Sequence, residues 1–172
     1  MSGIYIHNGT QTDQFIKDLH SAVQILKANM DINNKINLVK SEFEKFNSWE
    51  DKYRHIIKKG KSLAEMPEEL KKDELKVKGC QSQVWLFAEF DNERQVIHFK
   101  ADSDASIVKG IIAILLDVYD LASPDEILNV GTHFLDSIGL RQHLSMSRAN
   151  GLNAMVKQIH IYAMAYKARA LM

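Results

Sequence analysis

The sequence predicts an α+β domain of two layers, a three-stranded antiparallel sheet flanked by helices, with an extra helix at the N-terminus. Three observations predict it. Apolar residues recur at helical spacing up to Gly60, period-two alternation is confined to residues 74–102, and helical spacing returns from Ile107 onward. Helices, then strands, then helices argue for segregated layers rather than alternating βα units.

The first helix is expected over about Thr12 to Met30, where Phe15, Leu19, Ala22, Val23, Leu26 and Met30 form one apolar stripe and Thr12 can cap the start. Residues 31–37 are polar and Asn-rich and read as a turn or linker; a second helical pattern runs from Leu38 to Phe46. Asn47 and Glu50 suit a capping box for a third helix, with Trp49, Tyr53, Ile56 and Ile57 on its apolar face. Gly60 suits the left-handed C′ position at its end. Residues 66–70 form a loop or single turn, because Pro67 cannot continue a helix from upstream.

Leu75 and Val77 alternate with charged residues and read as a first strand. Val84, Leu86 and Ala88 face one way and Trp85 and Phe87 the other, so the second strand is expected to be covered on both sides. Asp91 to Arg94 form a hairpin loop, after which Ile97, Phe99 and Ala101 point inward and His98 and Lys100 outward. Residues 107–121 are apolar almost all round, the pattern of a buried central helix. Asp102 and Asp104 would cap it. Ser123, Pro124 and Glu126 carry cap, N1 and N3 signals. A short helix near Phe134 stops at Gly139, and Ser147 to Asn150 open a long terminal helix with Leu152, Met155, Val156, Ile159 and Ala163 inward.

Composition narrows the function. The chain has 172 residues, 22 Lys+Arg against 22 Asp+Glu, and one cysteine. That length suits one domain able to bury roughly 70% of its unfolded surface. Zero formal charge argues against the basic footprint of a nucleic-acid binder. The longest apolar run, residues 110–116, is too short to span a bilayer, and the N-terminus lacks a basic then apolar export signal. A cytoplasmic protein with neither nucleic-acid nor membrane partner is expected. One cysteine excludes an internal disulfide. Seven histidines form no metal-ligand spacing, and the eight glycines form no phosphate loop, so no metal or bound cofactor is expected. Ser106-x-x-Lys109 lacks the companion motifs of a serine acyl-enzyme, and the Asn8-Gly9-Thr10 acceptor has no meaning in the cytoplasm.

Cys80 stands apart through its surroundings. A lone cysteine usually fills space in a core. Here Gly79 precedes it, and three polar residues, Gln81, Ser82 and Gln83, follow. Gly79 can take backbone angles closed to other residues and leave one side of the thiol accessible. Lys76 and Lys78 lie just upstream, and cations favour the attacking thiolate.

Residues 78–85, KGCQSQVW, resemble the signature of the SufE family (with CsdE). The similarity continues through residues 102–110, DSDASIVKG, and residues 139–152, GLRQHLSMSRANGL; Trp49 to Leu63 fit the family's first core helix. It covers about Phe43 to Ala165 and implies a SufE/NifU-like fold over residues 41–172, preceded by a helical extension over 1–40. The resemblance implies that Cys80 accepts sulfane sulfur from the persulfide of a PLP-dependent cysteine desulfurase (SufS- or CsdA-like) and activates that partner. The sulfur would then pass to an iron–sulfur scaffold complex (SufBCD-like), PLP staying on the desulfurase. Gly79, Gln81, Ser82 and Gln83 would form the supporting loop, with Arg148 and His143 as loop or partner contacts. The protein would be an accessory carrier rather than an enzyme. A competing reading makes Cys80 the nucleophile of a thiol hydrolase or transferase with His143 as base. A third leaves it buried and inert. The free thiol is expected to tuck against apolar residues such as Trp85.

Overall fold

The computed structural model describes residues 9–170, and for some positions of the first helix the backbone alone. Asn8 of the glycosylation acceptor lies outside them. The chain divides into two units, Met1–Met30 and Asp31–Met172. In the first unit, α1 (Gly9–Ala28) carries Phe15, Leu19, Val23 and Leu26, all exposed, at helical spacing.

The second unit begins where a linker was expected. Asp31 is the N-cap of α2 (Ile32–Phe43), its carboxylate accepting from the Asn33 and Asn34 amides at 2.9 and 3.0 Å. Ile32, Ile36, Val39 and Phe43 form a narrow buried stripe, and the exposed asparagines disguise it. Buried Lys35 donates from Nζ to the carbonyls of Asp120 (2.7 Å) and Leu121 (3.1 Å). The cap of α3 (Trp49–Lys61) is Ser48, one residue later than expected, accepting from the Asp51 amide.

Gly60 does not end α3. It lies inside the helix where α3 crosses α4 (Ser106–Tyr119). A Cβ on Gly60 would sit 2.6 Å from the Gly110 nitrogen, and one on Gly110 would sit 2.1 Å from the Ile56 oxygen. The two backbones touch. Most of α4 is buried, as its pattern predicts.

Among the described residues the sheet has two strands, not three. β1 (Val84–Asp91) pairs antiparallel with β2 (Val96–Ser103) in the register Val84 with Ser103 through Asp91 with Val96. Residues Asp73–Leu75 form a 3-10 turn, and the expected first strand reduces to one bridge between Lys76 and Trp85, closed by Val77 N–H to Val84 O at 2.8 Å. Farther along that edge its place is taken: the hydroxyls of Tyr162 and Tyr166 donate to the carbonyls of Leu86 (3.0 Å) and Ala88 (2.8 Å). The opposite edge is closed by residues 120–122. Ile97 exchanges bonds with Leu121 and Ala122, and the Asp120 carboxylate accepts from the Phe99 amide at 2.7 Å.

The inner face of the sheet (Val84, Leu86, Ala88, Ile97, Phe99, Ala101) is buried, and a small apolar cavity lies between it, α4 and the terminal helix. Trp85 and Phe87 on the outer face are half-buried, not fully covered, with Lys76 Nζ 5.7 Å from the Trp85 ring centre. Helix α5 (Pro124–Asn129) has the expected capping box on Ser123 and Glu126. Short helices α6 (His133–Ser137) and α7 (Leu140–His143) flank left-handed Gly139, and α8 (Met146–Ala170) buries the five residues expected to face inward.

Candidate functional site

After Val77 bonds to the end of β1, the chain must reverse before Val84 can begin the strand. Gly79 makes that reversal with φ +92°, in the region open to glycine and strained for other residues. Its hypothetical Cβ meets only Ala154 Cβ at 3.6 Å, so the backbone angle, not crowding, calls for glycine. The turn sets Cys80 half-buried against α8, beside Gly151. The far end of the loop is clasped: Gln83 N–H donates to Asp104 Oδ1 at 3.0 Å, and Asp104 N–H donates to Gln83 O at 3.4 Å. Gln81 and Gln83 are exposed and Ser82 is half-buried.

Asp104 therefore does not cap α4, whose N-cap is Ala105 with no side-chain bond. Asp102 does not cap it either. Its buried carboxylate takes Lys109 Nζ at 2.9 Å and Lys71 Nζ at 3.0 Å. Burial alone would raise this carboxyl, but hydrogen bonds from Lys109, Lys71 and the Ser103 amide outweigh it and hold the group below the usual carboxylate range.

The thiol is not held as a thiolate. Cys80 Sγ donates to Gly151 O at 3.6 Å, and burial pushes its pKa up. The upstream lysines do not reverse this. Lys76 Nζ pairs with Asp73 at 2.7 Å and lies over Trp85, and exposed Lys78 has no bond to the sulfur. The backbone of α8 at Gly151 lies against the thiol, and Cys80 packs on the apolar core. Alkylation of Cys80 in the free protein is accordingly expected to be several-fold slower at pH 7.5 than for an exposed thiol. Its rate should rise about tenfold per pH unit to beyond the ordinary thiol pKa of about 8.5. Measured iodoacetamide rates that level off below that point would contradict the geometry.

The other expected site residues divide. Gly79, Cys80 and Gln83 share one loop, Cys80 resting on Gly151 and Gln83 clasped to Asp104. Arg148 is exposed one turn before Gly151 on α8 and has no hydrogen-bond or ion-pair partner among the described residues. His143 faces another neighbour: Nδ1 is 2.8 Å from Gly139 O, and its ring stacks on Trp49 at 4.3 Å. No described hydrogen bond links it to Cys80. Gly151 and the role of Asp104 escaped sequence reasoning. The available signal was Gly151 itself, since a glycine inside a helix costs about 1 kcal/mol against alanine and asks for a reason. Among the described residues, no group of three or more His, Cys, Asp or Glu is placed to hold a metal, and no helix is long and apolar enough to cross a membrane.

Residues 37–163 match the sequence model of the family described as SufE, Fe-S metabolism associated domain. The chain belongs to the SufE family. It is 43% identical over 121 residues to an uncharacterized SufE-like protein of Rhizobium meliloti (strain 1021), covering 69% of this chain and 86% of that one. A SufE-like protein of Rhizobium etli, also uncharacterized, gives the same identity and share of this chain, with 82% of its own length covered. The solution structure of a hypothetical protein from Thermus thermophilus overlays with a TM-score of 0.65 at 17% identity, covering 78% of this chain and 96% of that one, and so shares the fold. In this SufE-family chain the matched segment contains the whole Cys80 loop, both strands and the Gly151 turn of α8.

Proposed function

We infer that this protein is a sulfur acceptor and activator for a PLP-dependent cysteine desulfurase, with Cys80 as the carrying residue, acting in the cytoplasm. The observation that carries the reading is the setting of the only cysteine: a neutral thiol on a glycine-reversed loop, held to the body by one weak S–H bond and a clasp at Gln83. To leave the surface, such a loop gives up these bonds and the packing of Cys80 on the core. On docking, Cys80 loses its proton and attacks the terminal sulfur of the desulfurase persulfide. A sulfur–sulfur bond forms on Cys80 as the one in the partner breaks, and the electron pair leaves on the partner's sulfur. The exchange needs no external oxidant, reductant or bound cofactor. An iron–sulfur scaffold complex is the onward recipient. A single thiol suits a carrier, because a second nearby cysteine would discharge the persulfide as a disulfide.

Incubation with a cysteine desulfurase, PLP and cysteine, followed by intact-mass measurement, tests this directly. The expected result is one added sulfur on Cys80, removed by reductant. Persulfide found only on the desulfurase would overturn the assignment.

A further inference from the structure

The bond between Cys80 and α8 is chemically selective. A carbonyl oxygen only accepts, so in the contact with Gly151 O at 3.6 Å the sulfur must supply the hydrogen. A neutral thiol does so. An anionic sulfur cannot, and it would bring negative charge to the negative end of the carbonyl in a half-buried place where unpaired charge is costly. Space imposes a second condition. A Cβ on Gly151 would lie 3.5 Å from Sγ and 3.9 Å from Cys80 Cα and Cβ, so the thiol already rests against the helix.

Loading alters the sulfur in both respects. When Cys80 takes the terminal sulfur, Sγ becomes substituted and loses its hydrogen. The persulfide is more acidic than the thiol, so near neutrality its terminal sulfur is an anion. Neither sulfur atom can then donate to Gly151 O.

We propose that Gly151 is the residue by which the fold discriminates the empty carrier from the loaded one. The thiol docks on α8 through S–H···O=C, whereas the persulfide does not, so the loaded chain holds residues 79–83 undocked and the emptied chain closes again. In the docked loop no charged group competes for the sulfur: Asp104 is engaged at Gln83, a clasp that undocking releases, and neither Lys78 nor Arg148 is bonded to Sγ. The proposal rests on Cys80 being a sulfur carrier and adds what the cargo does to the loop.

The test loads the full chain with inorganic polysulfide, without desulfurase, and follows amide hydrogen exchange at pH 7 of Gln83, whose N–H bonds Asp104 in the docked loop. Exchange is expected to be at least tenfold faster in the persulfide than in the thiol, and to slow again after reduction. Cys80→Ser keeps a donor and is expected to stay slow. Gly151→Val, whose added carbons reach into the position of Sγ, is expected to give the fast pattern without sulfur. Persulfide and thiol forms exchanging within twofold of each other would overturn the proposal, as would a protected loop in folded Gly151→Val. A chain that accepts sulfur from the desulfurase yet shows no loop change sinks this inference alone. One whose loop opens with polysulfide but never loads from a desulfurase sinks the carrier function and leaves the loop chemistry standing.

Discussion

Gly110→Ala is expected to lower the free energy of unfolding by at least about 3 kcal/mol, a large part of the roughly 5–15 kcal/mol that holds a domain together. The added Cβ would stand 2.1 Å from the Ile56 oxygen, 2.5 Å from Ile56 Cγ2 and 2.6 Å from the Ile56 carbonyl carbon. Two of those three atoms are backbone and cannot rotate away. Helices α3 and α4 would have to separate, and Ile56, Ile111 and Ile114, all buried at the centre of the core, would lose contacts with them. Better helix propensity returns at most about 1 kcal/mol. Gly151→Ala is the matched control, since its Cβ would meet Sγ at an ordinary 3.5 Å, and it should be neutral or slightly stabilising. Urea unfolding of both variants measures the contrast. A loss below about 0.5 kcal/mol for Gly110→Ala would mean that the helices do not cross this closely.

The elements read correctly from sequence are those whose cause is local. Val84, Leu86 and Ala88 alternate, as do Ile97, Phe99 and Ala101, and both sets line the inner face. The box on Ser123 and Glu126 spans three residues and forms as written. The misread elements depend on distant partners. Leu75 and Val77 alternate equally well, yet Tyr162 and Tyr166 occupy the edge that a longer strand would need. Gly60 has the sequence context of a helix stop, and only Gly110 explains why it is a crossing point. The Cys80 loop was legible through Gly79 and its polar neighbours. The charge state of the thiol was not, because Lys76 is committed to Asp73 while burial against α8, 71 residues on, raises the thiol pKa.

Cys80→Ser is expected to abolish sulfur acceptance while leaving the fold in place. The serine hydroxyl can donate to Gly151 O as the thiol does, so the loop keeps its resting position and stability should change by no more than about 1 kcal/mol. The chemistry does not survive the exchange of oxygen for sulfur. A hydroxyl stays protonated at neutral pH and is a poor nucleophile toward persulfide sulfur, so no sulfur should appear on the variant in mass measurements. Desulfurase turnover with cysteine should fall to the rate of the desulfurase alone, while affinity for the partner stays within a few-fold because the surrounding surface is unchanged. Retained acceleration by Cys80→Ser would show that the protein works through contact alone and would remove Cys80 from the mechanism. His143→Ala separates the remaining alternative. A hydrolase or transferase using His143 as base should lose about 10²–10⁴-fold in rate. A ring that stacks on Trp49 and bonds Gly139 O should instead leave sulfur acceptance within a few-fold of the starting protein, because a desulfurase persulfide is attacked by a thiolate that needs no general base once formed.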